Sequence, residues 1–283
     1  MLRNVETYVR PKSIEDAVTI VQSTPNAVYL GGGAWTVAQG NPEIETVVDL
    51  QDLDLDTIDG SLESVQIGAM VRLQQLIDHA DTGSFADGML AKAAHFTQSR
   101  TLREQGTLGG TLMVGGHADP LTTALLALDA SLSYADPVMH TAPFTSFVAY
   151  RDRLIKTRVL LTGLQVKRPS PRSFSAFEVV GRSPRDKPVI CVAVTITVDE
   201  GLPEALFIAV GGADERPVRL HKTEHMLRRQ LLSPERVETA LAPALQELHP
   251  ESDFLGSAQY RLEMTKVLTR RAVLTAWDNA RRR

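Results

Sequence analysis

The chain holds 283 residues, 43% hydrophobic and 23% charged, with a formal net charge of −4. That length accommodates two or three packed units of ordinary globular composition, and the slight acidity gives no support for nucleic-acid binding. A single cysteine, Cys191, excludes an internal disulfide framework and a four-cysteine zinc or iron–sulfur site, so any such centre would belong to another chain.

The opening MLRNVETYVRP has no apolar core for a secretion signal, and no run approaches the ~20 apolar residues of a membrane span. The expectation is a cytoplasmic protein without a membrane partner. Tyr8 to Pro11 reads as extended chain. Ser13 is a candidate N-cap, with Glu15 and Asp16 in the first turn and Ile14, Ala17, Val18 and Val21 at helical spacing; Pro25-Asn26 ends that helix. Ala27 to Leu30 is a strand that runs into Gly31-Gly32-Gly33-Ala34-Trp35-Thr36. A Rossmann loop needs Gly-x-Gly-x-x-Gly and a long crossover helix. Thr36 stands at the third glycine, and Gly40-Asn41-Pro42 interrupts the short stretch before the next strand, Thr46 to Leu50. Asp49 therefore imitates a ribose-binding acid without its context. Leu53 to Ile58 and Ser64 to Ala69 read as short strands around Asp59-Gly60. Arg72 to His79 and Met89 to Phe96 read as helices.

Residues 101–130 organise the rest. Thr107-Leu108-Gly109-Gly110-Thr111 is a small-residue turn, followed by Gly115-Gly116. Asp119 as N-cap and Pro120 in the first turn then open an apolar helix to Ala130. Bare backbone lets a ligand approach closely, and free N–H groups attract anions. The plainer alternative is a pair of tight turns before a core helix.

Ser131 to Ala135 is a strand, Phe144 to Tyr150 a turn or short helix, and Val159 to Val166 a strand. The polar, proline-rich stretch Lys167 to Arg172 links to three consecutive strands, Ser173 to Val180, Val189 to Val198 and Ala205 to Val210. In the middle strand Ile190, Val192, Val194, Ile196 and Val198 share one face. Cys191 lies on the other, as a core residue rather than a reactive thiol. Arg219 to Leu232, Pro234 to Leu248 and Ala258 to Ala280 are helical, with a basic end at Arg281-Arg282-Arg283. No catalytic triad and no metal-ligand spacing appears among the seven histidines. His221 and His225 read as surface residues, and His117 as a candidate neighbour of a bound cofactor.

Together these stretches resemble the FAD-binding medium subunit or domain of the molybdenum hydroxylases, the xanthine dehydrogenase and carbon monoxide dehydrogenase family. Gly31 to Trp35 matches its first FAD loop, usually Ala-Gly-Gly-Thr-Asp. Val47-Val48-Asp49-Leu50 and Val65-Gln66-Ile67-Gly68-Ala69 match its Val-Asp-Leu and Ile-Gly-Ala strands. Arg103-Glu104, Thr107 to Thr111, Asp119 and Leu125 to Leu128 match its Arg-Asn, Thr-Ile-Gly-Gly-Asn, Asp and Leu-Leu-Ala-Leu, with Asp119 about one residue out of register. Ser257 to Arg261 resembles its Asp-Tyr-Arg, with Gln259 in place of Asp.

The resemblance implies an α+β fold. A two-subdomain FAD-binding domain of the PCMH/vanillyl-alcohol-oxidase type (1–55 and 56–168) would precede a C-terminal domain (169–283) with a three-stranded antiparallel sheet and three helices. It implies FAD bound by Leu30, Gly31, Gly32, Gly33, Ala34, Trp35, Gly106, Thr107, Gly109, Gly110, Thr111 and Asp119. The amides of Gly31 to Ala34 and Gly109 to Thr111 would face the phosphates. No catalytic residue and no metal ligand is implied. The implied partners are a small subunit with two [2Fe–2S] clusters and a large molybdopterin subunit, with electrons passing through the clusters and FAD to an external acceptor. Ala34, Trp35 and Thr111 replace polar family residues. Val179 and Ser183 stand where the family has a Lys near the flavin ring and an Arg. Losing that cation implies weaker FAD binding and a lower reduction potential. A flavin-free structural or assembly subunit that keeps the fold is the other reading.

Overall fold

The structure, a computed structural model, describes residues 2–183 and 186–282, so Arg283 of the basic end lies outside the described residues. Two compact units interleave along the chain: one takes residues up to Asp81, Arg100–Val114 and Ala130–Val166; the other takes Thr82–Ser99, Gly115–Asp129 and the chain from Lys167.

In the first unit, Ser13 caps the helix Ile14–Ser23, its hydroxyl accepting the Asp16 N–H at 3.0 Å. Strands β1 (Thr7–Val9), β2 (Ala27–Leu30) and β3 (Thr46–Asp49) form an all-parallel sheet in the order β1-β3-β2. Between β2 and β3 the one helix, Thr36–Gln39, is a single turn that buries no residue, so nothing there serves as a Rossmann crossover. Asp49 is 1% exposed. Its carboxylate accepts from the Tyr8 hydroxyl, from Arg10 Nε at 3.2 Å and from Gln51 N–H at 3.0 Å. That acid is committed to holding β3 to the segment around β1.

The second sheet of this unit has the order β4-β5-β8-β6-β7. Its strands are β4 (Ile58–Gly60), β5 (Ser64–Gly68), β6 (Ser131–Asp136), β7 (Val138–Pro143) and β8 (Leu160–Lys167). The strand expected from Leu53 starts only at Ile58. β7 was not foreseen: nearly every one of its side chains is exposed, so it carries no alternation to read. The expected short helix at Phe144 runs on to Lys156. Ala17, Val18 and Val21 of the first helix pack with Val48 and Leu50 and also with Ala135 and Leu160, so one helix joins the two sheets. Each buried Val or Leu among them contributes about 1.5–3 kcal/mol.

In the second unit β9 (Ser173–Val180), β10 (Ile190–Asp199), β11 (Leu202–Gly211) and β12 (Val218–Arg219) form an antiparallel sheet in the order β12-β11-β10-β9. The expected three-stranded sheet thus gains a fourth strand. At two residues, β12 is too short to leave a pattern in the sequence. Ile190, Val192, Val194 and Ile196 pack in one core with Leu227, Val237, Leu241, Val273 and Trp277 of the three expected helices, which span His221–Leu227, Pro234–Leu245 and Ala258–Arg282. The other face carries Cys191 and meets the helices Phe85–Thr97 and Pro120–Ala127; all eight residues of the latter are buried. Thr123 Oγ1 lies 3.3 Å from Cys191 Sγ. Burial pushes the Cys191 thiol up to about 12, as befits a core residue. Near the start of Phe85–Thr97, Ala86, Asp87 and Gly88 are left-handed, with φ of 51°, 55° and 76°. Such a conformation costs roughly 1–2 kcal/mol at a non-glycine residue. Asp87 Oδ2 accepts the Ser175 N–H of edge strand β9 at 2.8 Å.

Candidate functional site

The first glycine stretch leaves the parallel sheet at Leu30, which is paired with Asp49 of β3. Gly33 turns the chain at φ +74°, a left-handed value that favours glycine. The second stretch is held by a buried and an exposed arginine. Arg103 Nε donates to Gln74 Oε1 at 3.0 Å, and the Arg72 guanidinium donates to the Glu104 carbonyl. Leu73 N–H donates to Gly106 O at 3.0 Å.

The two stretches meet backbone to backbone. A Cβ at Gly32 would lie 1.6 Å from the Gln105 carbonyl oxygen, and one at Gly31 would lie 3.0 Å from Thr107 Oγ1. Gly31 to Trp35 and Gly106 to Thr111 therefore belong to one assembly within the first unit. Gln105, absent from the residues expected at the site, is the residue the first loop rests on. It carries no motif; only its backbone matters.

Their hydrogen bonding differs. The second stretch is not a turn: Leu108–Val114 is helical. Leu108 N–H donates to Val71 O and Gly109 N–H to Ala69 O, both at 2.8 Å. Gly110 N–H donates to Thr107 Oγ1 at 3.2 Å, and Thr111 N–H to Thr107 O at 2.9 Å. The amides of Gly109, Gly110 and Thr111, expected to face a ligand's phosphates, are thus engaged inside the chain. The reason is local: Thr107 caps the helix, and the missing Cβ at Gly109 (3.0 Å from Ala69 Cβ if present) lets it seat against Ala69. In the first stretch the first helical donor after Gly33 is Val37 N–H, to Gly33 O at 3.0 Å. The amides of Ala34, Trp35 and Thr36 precede that ladder. Gly32, Gly110 and Trp35 are exposed; Thr107 and Thr111 are buried. No Lys or Arg occurs in 30–36 or 106–111.

The remaining expected residues lie in the second unit. Asp119 caps Pro120–Ala127, its Oδ2 accepting the Thr122 N–H at 2.8 Å and the Thr122 hydroxyl at 2.5 Å. His117 is half-buried. Burial and the nearby Arg261 cation lower its pKa, which favours the neutral imidazole at neutral pH. The His117 carbonyl accepts the Gly212 N–H at 2.8 Å. Arg261, 1% exposed, donates to Val189 O at 2.7 Å, Gly212 O at 3.2 Å and the Asp253 carboxylate at 2.8 Å. Val179 pairs with Cys191 across β9 and β10. His221 and His225 are exposed, as expected. Among the described residues, no group of three or more His, Cys, Asp or Glu could hold a metal ion, and no helix is long and apolar enough to cross a membrane.

Bare backbone from two converging loops, with unladdered amides in one of them, suits the phosphates of a nucleotide. Residues 3–167 match the model of the FAD binding domain in molybdopterin dehydrogenase, and 175–276 that of the CO dehydrogenase flavoprotein C-terminal domain. The chain is 31% identical to the uncharacterized protein YgfM of Escherichia coli K12, over 93% of each chain. It is 28% identical to the nicotine 6-hydroxylase medium subunit of Paenarthrobacter nicotinovorans, over 95% of this chain and 96% of that one. Carbon monoxide dehydrogenase from Hydrogenophaga pseudoflava shares the fold, with a TM-score of 0.90 over 98% of this chain and 99% of that one, at 24% identity.

Proposed function

Because the chain belongs to the family of FAD-binding medium subunits of molybdenum hydroxylases, we propose that it relays electrons from iron–sulfur clusters on a partner subunit to an external acceptor. Bound FAD supplies the redox chemistry, taking up electrons and giving them away. The chain's own task is to bind and orient. The amides of Ala34, Trp35 and Thr36 are the donors for the diphosphate, each charge-assisted bond contributing about 1.5–3 kcal/mol. Thr107 Oγ1 accepts from Gly110 N–H and keeps its own hydrogen to donate. The second loop's contribution is a fixed floor, since its other amides are engaged within the chain. No acid–base residue is required of a relay.

The contact of Gly32 with the Gln105 backbone carries this reading, because it makes one cradle of the two glycine stretches. One cysteine cannot hold iron–sulfur clusters, so the proposed partners are a small subunit with two [2Fe–2S] clusters and a large molybdopterin subunit. We propose the division 1–55, 56–168 and 169–283 on the same footing; the parallel sheet, the five-stranded sheet and the antiparallel sheet fall one in each. The test is native purification. Visible flavin absorbance and co-purifying iron–sulfur and molybdenum subunits are expected. A colourless, folded protein that takes up no added FAD would overturn the reading and leave a flavin-free scaffold. A flavoprotein isolated alone and reduced directly by a small substrate would replace the relay with a stand-alone enzyme.

A further inference from the structure

Trp35 follows the glycines of the first loop, and an aromatic residue after a turn is ordinarily a core residue. Here it is not. Its side chain is 50% exposed, and the single helical turn it opens, Thr36–Gln39, buries no residue at all. Val37 in the same turn is 42% exposed. The segment is nonetheless anchored at its root by the close approach of Gly32 to Gln105. A large aromatic plane therefore stands half in solvent on the residue whose own amide, with those of Ala34 and Thr36, is suited to a diphosphate. The other exposed residues within the two glycine stretches, Gly32 and Gly110, carry no side chain.

We propose that Trp35 is the stacking platform for the adenine of the dinucleotide. The assignment rests on the FAD reading above. Trp35 and the diphosphate donors lie on one loop of the first unit, and ADP presents a diphosphate and its adjoining ring system without the flavin, so adenine is the ring assigned to Trp35. Every base presents a π-face, so indole–adenine stacking needs no hydrogen-bond partner. It also compensates for the missing charged clamp in 30–36 and 106–111.

Tryptophan emission provides the test, because the chain has two tryptophans and the other, Trp277, is buried in the second unit. Flavin quenches tryptophan by energy transfer without contact, so the probe is ADP, whose adenine quenches only on close approach. ADP added to flavin-stripped protein is expected to quench emission, to leave Trp35→Phe emission unchanged, and to compete with FAD. Trp35→Ala is expected to bind ADP about 5- to 150-fold more weakly, with Trp35→Phe restoring most of that loss and FMN affinity unaffected. ADP that displaces FAD without quenching, or ADP and FAD affinities unchanged in Trp35→Ala, would overturn the platform while leaving FAD binding intact. Failure of the folded wild-type protein to bind FAD would overturn the underlying reading, and the platform with it.

Discussion

Replacing Gly32 by Ala is the sharpest probe of the cradle. The new methyl would stand 1.6 Å from the Gln105 carbonyl oxygen and 2.7 Å from its carbonyl carbon. Both are main-chain atoms, so no rotamer change relieves the clash. Reaching ordinary contact at 3.4 Å requires the loops to part by about 1.8 Å. The Gln105 side is pinned: Gly106 N–H donates to Leu102 O at 2.7 Å, and Leu73 N–H to Gly106 O at 3.0 Å. The first loop must therefore move and carry the amides of 34–36 with it. Hydrogen bonds of roughly 2.7–3.2 Å do not survive such a shift. Losing even one charge-assisted bond costs about 1.5–3 kcal/mol, or about 10- to 150-fold in FAD affinity. Overpacking should cost about 1–3 kcal/mol of stability, and the protein should remain folded. Gly31→Ala meets only side-chain tips, at 3.0 Å and 3.4 Å, and Gly116→Ala meets nothing within 4 Å, so these form a graded control. Calorimetric titration of flavin-stripped protein with FAD, with circular dichroism to confirm folding, reads the series. Wild-type affinity in Gly32→Ala would refute the geometric reasoning.

Glu224 is buried against Arg219 (Nε to Oε1 3.0 Å, Nη2 to Oε2 2.7 Å) and accepts the Ile208 N–H at 2.8 Å. Glu224→Ala leaves that guanidinium only Asp129 (Nη1 to Oδ1 3.3 Å) and strands the Ile208 N–H, and should lower unfolding free energy by about 1–3 kcal/mol in urea titration. The His117 pKa is depressed in the folded protein, so below the ordinary 6.5 the unfolded chain binds more protons. Stability should fall as pH drops from 6.5 through the folded value, and His117→Gln should flatten that part of a melting-temperature profile. Cys191, with its thiol raised to about 12, should resist alkylation at neutral pH until the protein is denatured; labelling of the native state, read by mass spectrometry, would count against its burial. Val179→Lys should raise the flavin potential in a spectroelectrochemical titration if the residue reaches the ring, and an unchanged potential would remove it from the ring's surroundings.

The sequence revealed what repeats a physical period or a chemical rule. Ser13 and Asp119 cap where their side chains predicted, because a short polar residue before an apolar helix has few other uses. Ala27–Leu30 and Ser173–Val180 appear with the bounds expected, being β-branched or aromatic runs between turn residues. The site was readable as glycines but not as hydrogen bonds. Gly109-Gly110 reads as a turn by composition, whereas the Thr107 cap opens a helix there and the distant carbonyl of Ala69 takes up the Gly109 amide. β7 and β12 stayed hidden because one is exposed on both faces and the other is two residues long. The 50% exposure of Trp35 is likewise visible only in the fold, since no hydrophobic period in the sequence assigns it a face.

The interleaving of the two units bears on how the protein is made. The chain passes between them five times, and the helix Pro120–Ala127, wholly buried, belongs with strands that end only at Gly211. At about 5–20 residues per second, the ribosome keeps that helix waiting on the order of 5–15 s for the sheet that covers it. During that interval a largely apolar segment is open to chaperones or to aggregation. A chain cut short after Lys167, where the FAD-binding match ends, would never receive the sheet. The stretch that carries the cofactor cradle is thus a unit of recognition but not a unit of synthesis: its folding should finish only after the C-terminal strands have left the ribosome.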